Sequence, residues 1–301
     1  MKTPGKLATS LEEPLCKPCK TVSYTPSGLR IEGDTGRFQT TRLMFRELLS
    51  ARQLIVRFFI RDISAKYRQS FLGILWVFLV PLATTFIFMF IRKAGVLNIE
   101  NVQVPYGLYV LAGISLFHLF NGGLIECTNA MVKAGGMIVK INFPRIALVF
   151  AASLQALLEF FIRMALVVIL CMISDIRFNL LHFAYSILTL IPLYFFMLGI
   201  GCMLALIASV LRDIPTLINF IGMGVMLVTP ILYPLKPTGT LAAVSAWNPL
   251  HYLINLPREM LLYGSSSLTT GFLICAGFSF VLFFTGWRMF YVAQTKITER
   301  I

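Results

Sequence analysis

Two ionisable residues stand four positions apart inside an apolar run: Glu159 and Arg163 interrupt the stretch from Ile146 to Ile173. A charge in a membrane interior is costly and marks a functional position by default. The i,i+4 spacing puts both on one helix face, where glutamate ahead of arginine allows mutual neutralisation. Two roles stay open for this intramembrane pair: a structural pair facing a bundle interior, or a proton or substrate relay. A relay needs further acidic groups at membrane depth. The other apolar runs hold none, because Glu126 and Asp213 fall at the ends of theirs.

Other reactive chemistry is sparse. No G-x-x-x-x-G-K-[ST] phosphate loop occurs, so the chain carries no sign of binding ATP itself. His118, His182 and His251 are far apart, and no Ser/His/Asp or Cys/His set has diagnostic spacing. Cys16-Lys17-Pro18-Cys19 has the look of half a zinc site, but no second pair or histidine cluster supplies four ligands. No metal site and no cofactor are therefore expected in this chain. Cys127, Cys171, Cys202 and Cys275 sit in or beside apolar runs, as small hydrophobes do.

The elements that must carry these residues are membrane helices. Of 301 residues, 57% are hydrophobic and 13% charged, and the mean hydropathy is +0.81. A soluble domain of ordinary composition has about 25% charged residues. Six apolar segments follow one another: Phe71 to Ile91, Tyr106 to Leu124, Ile146 to Ile173, Leu181 to Leu211, Ile214 to Leu232, and Thr270 to Val292. About 20 apolar residues cross about 30 Å of hydrocarbon as a helix. Each crossing must be helical, since backbone groups unpaired in lipid are too costly. The fold class is thus all-α, with six transmembrane helices over residues 71–292.

Residues 1–40 are polar and aperiodic and read as a disordered cytoplasmic tail. Residues 41–70 hold an amphipathic interface helix and a junction. Arg42, Arg46, Ser50, Gln53, Arg57 and Arg61 share one stripe, opposite Met44, Leu48, Ala51, Ile55 and Phe59, with Arg52 breaking the pattern. Between the last two spans, residues 234–268 are semi-apolar, too broken to cross, and suited to short re-entrant helices on the outer side. Residues 293–301 form a cytoplasmic tail.

The net charge is +13, and 13 of the 26 Lys and Arg precede residue 69. With the N-terminus inside, the remaining inner segments hold Lys133, Lys140, Arg145, Arg212, Arg288, Lys296 and Arg300. The outer ones hold Arg92, Lys93, Arg177, Lys236 and Arg258. This bias puts both termini in the cytoplasm. Nucleic acid is excluded as a partner, because it requires a soluble basic surface. The first span is dense in aromatics, including Trp76, Phe78 and Phe86. Such rings face lipid, or they stack on sugar faces along a channel.

Four segments, in order, resemble the ABC-2 type permease family in its polysaccharide-export branch. They are Arg61-Asp62-Ile63-Ser64-Ala65-Lys66-Tyr67-Arg68-Gln69-Ser70-Phe71-Leu72-Gly73 running on to Trp76 and Pro81-Leu82; Lys140-Ile141-Asn142-Phe143-Pro144-Arg145; Leu211-Arg212-Asp213-Ile214 with Thr229-Pro230-Ile231-Leu232-Tyr233-Pro234; and Asn248-Pro249-Leu250 with Arg258-Glu259 and Tyr263-Gly264. The resemblance covers residue 38 to the C-terminus. It implies a homodimer in a bacterial inner membrane, working with two copies of a separate ATPase subunit that binds ATP and Mg. The cargo it implies is an O-antigen, capsule or teichoic-type polymer on a lipid carrier.

By the same resemblance Lys133, Lys140, Phe143, Pro144, Arg145, Arg212 and Asp213 face the ATPase. Trp76, Phe78, Phe86 and Tyr233 lie near a translocation path at the dimer axis. Arg57, Arg61, Lys66 and Arg68 suit the carrier's pyrophosphate or anionic lipid, or serve only to fix topology. The rival readings are an ABC-2 exporter of a small lipid or drug, an ion-driven secondary transporter, and a membrane enzyme acting on lipid-linked sugar. The second wants essential intramembrane carboxylates, of which Glu159 alone offers one. The third wants an acid/base pair at the membrane surface, and none is found.

Overall fold

The computed structural model of the protein describes residues 23–25, 28–30, 37–68, 70–95, 104–138, 143–174, 180–234 and 239–297. The CxxC pair, Lys140 and most of residues 1–40 lie outside them. Within that polar segment two short strands, β1 (Ser23–Thr25) and β2 (Gly28–Arg30), pair antiparallel with Ser23 opposite Arg30. Every other described element is helical.

The amphipathic segment forms two helices, α1 (Arg37–Ser50) and α2 (Arg52–Arg68), where the periodicity predicts one. Backbone bonding runs through the elbow, from Ala51 N to Glu47 O and from Ile55 N to Ala51 O, both 2.9 Å. Ser50 Oγ donates to Arg46 O at 2.8 Å, a back-bond that bends helices. Arg42, Arg46, Ser50, Gln53, Arg57 and Arg61 are all exposed, as is Arg52. Met44, Ala51, Ile55 and Phe58 are buried in the protein's own core rather than left for lipid. A separate apolar flank, Leu49, Val56 and Ile60, stays exposed, and this is the face a bilayer interface would cover.

Among the described residues, five helices are long and apolar enough to cross a membrane. A single 3₁₀ turn, Gly73–Leu75, leads into α3 (Trp76–Lys93). Next come α4 (Tyr106–Lys133), the short α5 (Gly135–Ile138), α6 (Ile146–Ile173) and α7 (Leu180–Val210). The fifth long helix is α11 (Thr269–Ile297). The expected sixth crossing is shorter than its apolar run. It forms α8 (Ile214–Val228), which at 1.5 Å per residue is about 22 Å long against about 30 Å of hydrocarbon. Pro230 disfavours helical backbone at the residue before it, and Thr229 is extended, with ψ 130°. The segment between α8 and the last long helix forms two helices, α9 (Thr240–Trp247) and α10 (Pro249–Tyr263).

At the centre stands α4, packed against α3, α6, α7, α8 and α10. It is the least apolar of the five long helices and the most buried, whereas α3 is among the most apolar and is the most exposed. Polar residues go inside because hydrocarbon surrounds the outside.

Helices α7 and α11 cross at Gly199 and Gly286. A Cβ on Gly286 would lie 2.3 Å from Gly199 O, and one on Gly199 would lie 2.8 Å from Phe283 N. Small residues let membrane helices approach to backbone contact. Gly286→Ala is expected to destabilise the protein by about 1–3 kcal/mol, the usual range for overpacking. A melting curve in detergent tests this, and an unchanged midpoint would refute the crossing.

Candidate functional site

The densest polar cluster lies where the end of α2 meets α4 and α6. Glu159, on α6, accepts from Lys66 Nζ at 2.7 Å, Tyr67 Oη at 2.8 Å and Arg163 Nη2 at 3.1 Å. Glu126, on α4, accepts from Lys66 Nζ at 3.0 Å and Lys133 Nζ at 2.7 Å. Lys66 is thus shared by the two carboxylates. Three cations face two anions in this cluster.

Local sequence explains the arrangement. Helix α4 does not stop at Leu124 but continues to Lys133, so Glu126 and Lys133 share its last two turns. The end of α2 lies along α6, which brings Lys66 and Tyr67 over Glu159. The Glu159 and Arg163 side chains are 12% and 10% exposed, and Lys66 is 38% exposed. Burial acts to lower the Lys66 pKa, but Glu126 and Glu159 outweigh it and hold the ammonium above its usual value. Raised pKa means the contribution to stability is whole below about pH 10.5 and is lost only as pH climbs through the folded value.

Beside the cluster is a cavity of about 230 Å³, lined by Lys66, His118, Gly122, Ile125, Glu126, Ala156, Glu159 and Arg163. Through Lys66 and Tyr67 the two carboxylates bind α2 to α4 and α6. Among the described residues no group of three or more His, Cys, Asp and Glu could hold a metal ion.

A second polar assembly lies where α10 meets α4 and the turn after α8. Arg258, on α10, is 2% exposed. It donates to Tyr109 Oη (2.7 Å), Ile231 O (2.8 Å), Pro230 O (3.3 Å) and Asn255 Oδ1 (2.5 Å). Its guanidinium also sits 3.8 Å from the Tyr109 ring centroid. Asn248 caps α10 by accepting from Leu250 N at 3.0 Å and donates to Thr229 Oγ1 at 2.9 Å. Tyr106 Oη donates to Leu232 O at 2.9 Å. Together these groups fix the turn after α8. Nearby, α4, α7, α8, α9 and α10 border an apolar groove of about 860 Å³, from Ile214 to Trp247.

The residues singled out by sequence distribute as follows. Glu159 and Arg163 pair, and Lys66 and Lys133 join them in one network. Arg57 and Arg68 are exposed, and Arg61 is bound to Asp62 at 2.7 Å. Phe143, Pro144 and Arg145 are half-buried, with the Phe143 ring 5.3 Å from that of Phe58. Arg212 and Asp213 are exposed. Trp76 and Phe86 are exposed on α3 and Phe78 is half-buried. Tyr233 donates its hydroxyl to Leu227 O at 2.9 Å.

Sequence reasoning missed three contributors. Glu126 looks like the end of a span, Arg258 like an outer-loop charge, and Glu47 is not singled out by any pattern. Glu47 is buried and accepts from Tyr291 Oη of α11 at 3.1 Å; burial pushes its carboxyl pKa up, against that hydrogen bond.

A bundle of long apolar helices with its charges turned inward, and with amphipathic helices at one end, defines a multi-pass membrane protein. Residues 53–262 match the ABC-2 type transporter family. The chain belongs to that family, whose members are transport subunits rather than enzymes. It is 26% identical to the O-antigen export system permease protein RfbA of Myxococcus xanthus, over 71% of this chain and 80% of the relative. It is 24% identical to the protein of the same name from Klebsiella pneumoniae, over 68% and 78%. To the polysialic acid transport protein KpsM of Escherichia coli it is 22% identical, over 77% and 90%.

Proposed function

We propose that this chain is the membrane subunit of an ABC exporter of lipid-linked polysaccharide, working as a homodimer with two copies of a separate ATPase subunit. The observation that carries this reading is the similarity, over most of both chains, to permeases named for O-antigen export and polysialic acid transport. ATP and Mg belong to the partner. The membrane, by the likeness to these permeases, is the bacterial inner membrane, and the distribution of basic residues supports both termini in the cytoplasm.

The structure supports the reading physically. Helices α3 and α8 both pack on α4 and present unpartnered apolar faces, including Trp76, Phe86 and Phe90 on α3 and Phe220, Met223 and Leu227 on α8. Two copies meeting on such faces would line a path with rings, which stack on sugar without demanding fixed hydrogen bonds. The exposed Arg57, Arg68 and Arg212 give the cytoplasmic side donors for an acidic partner or a phosphate.

The test uses a strain deleted for this chain that still makes the lipid-linked glycan. The chain is restored alone, with its ATPase, and with an ATPase inactivated in hydrolysis. Surface glycan is expected only with the active ATPase. Surface glycan from the chain alone would replace ATP drive with secondary transport, and intracellular glycan in every arm would remove the polymer as cargo.

A further inference from the structure

We propose that Lys66 is a positioning residue for energy coupling: its ammonium, shared between Glu126 of α4 and Glu159 of α6, ties the amphipathic helix α2 to the spans and passes its displacement to them. This rests on the exporter reading above.

Two routes lead from α2 into the bundle. The covalent route passes through a bend, residues 70–75, where Gly73 has the left-handed φ of 50° and donates to Ser70 Oγ at 3.2 Å. A push along α2 is turned aside there before it reaches α3. The ionic route is direct. Lys66 Nζ lies 3.0 Å from Glu126 and 2.7 Å from Glu159. Movement delivered to α4 reaches α3, α6, α7, α8 and α10, because α4 packs against them all.

The charge arrangement separates this role from a purely structural one. Without Lys66, Glu126 keeps Lys133 at 2.7 Å and Glu159 keeps Arg163 at 3.1 Å and Tyr67 at 2.8 Å. Each carboxylate stays neutralised, so removing Lys66 cuts the ionic tie from α2 to α4, and leaves Tyr67 bonded from α2 to Glu159 of α6, without stranding a buried charge. The adjoining 230 Å³ cavity has room for roughly seven waters at about 30 Å³ each. A tie beside such a space can break and re-form during a cycle, because water takes up the ions as they part.

The experiment uses the whole transporter, permease with ATPase, in proteoliposomes. The probe is polyprenyl-pyrophosphate-linked glycan purified from the deletion strain. Lys66→Met is expected to assemble with the ATPase, and at saturating glycan the amount moved per ATP hydrolysed is expected to fall roughly tenfold or more, a factor within the usual span of coupling between sites. Lys66→Arg, which also bridges carboxylates, is expected to restore most of the ratio.

Spin labels at Ser64 on α2 and Asn129 on α4 give a readout independent of cargo. Their separation is expected to stay constant on trapping with ATP and vanadate in wild type, and to change in Lys66→Met. A wild-type ratio of glycan to ATP in Lys66→Met would overturn the proposal. So would failure of Lys66→Met to assemble with the ATPase, which would make the residue structural. Failure of the wild-type transporter to move glycan would instead defeat the exporter reading, and the label distances would still judge the tie.

Discussion

Replacing Arg258 with methionine is expected to lower the stability of the detergent-solubilised protein by about 3 kcal/mol, since a buried acceptor left without its donor costs about 1–3 kcal/mol. The guanidinium is 2% exposed and serves four oxygens: two backbone carbonyls in the turn after α8, the Tyr109 hydroxyl of α4 and the Asn255 amide of α10. Methionine fills comparable space but leaves those acceptors without a donor in a dry site. Arg258→Lys is expected to lose less, since an ammonium has three donors, yet it cannot span the same fork. Thermal unfolding followed by proteolysis of the outer loop tests both. Melting at the wild-type temperature in Arg258→Met would show that the turn is held by apolar packing alone.

The second large effect is expected at Glu159. Glutamine there removes the anion shared by Lys66, Tyr67 and Arg163 and leaves Arg163, 10% exposed, beside no carboxylate within its own pair. Breaking a buried pair from one side costs about 3–5 kcal/mol. The low end, about 3 kcal/mol, applies because Lys66 is 38% exposed and water screens its share. The double variant Glu159→Gln with Arg163→Met is expected to recover part of that loss, because the stranded cation is gone. Denaturation of both single variants and the double variant gives the interaction energy. Strict additivity would mean that the two side chains do not stabilise each other.

Local periodicity made much of this legible in the chain. The basic stripe from Arg42 to Arg61 and the apolar face from Met44 to Phe59 could be assigned because each helical residue fixes where its i+4 neighbour points. The Glu159–Arg163 pair was legible for the same reason. What escaped was long-range. Lys66 is 60 positions from Glu126 and 93 from Glu159, and no local pattern reports such a meeting. Glu126 and Lys133 looked like loop residues because the apolar count stops near Leu124, yet the helix runs on once paired charges let it.

The break of α8 at Thr229-Pro230 did have a signal, the proline, which an apolar count alone passes over. Arg258 read as an outer-loop charge, since nothing local reveals that Tyr109, 149 positions earlier, will receive it. The hairpin β1–β2 arose where composition gave no period to read.

The burial of α4 bears on how the chain is made. Synthesis presents this helix to the membrane second, before α6, α7, α8 and α10 exist to surround it. It carries His118, Asn121 and Glu126; the Lys66 that pairs with Glu126 is already made, while Glu159 of α6, which shares that ammonium, is still to come. The helix at the centre of the finished bundle is therefore the one least suited to lie in lipid alone. Its burial is completed only by helices made after it, so of the five long spans α4 gains most from their arrival.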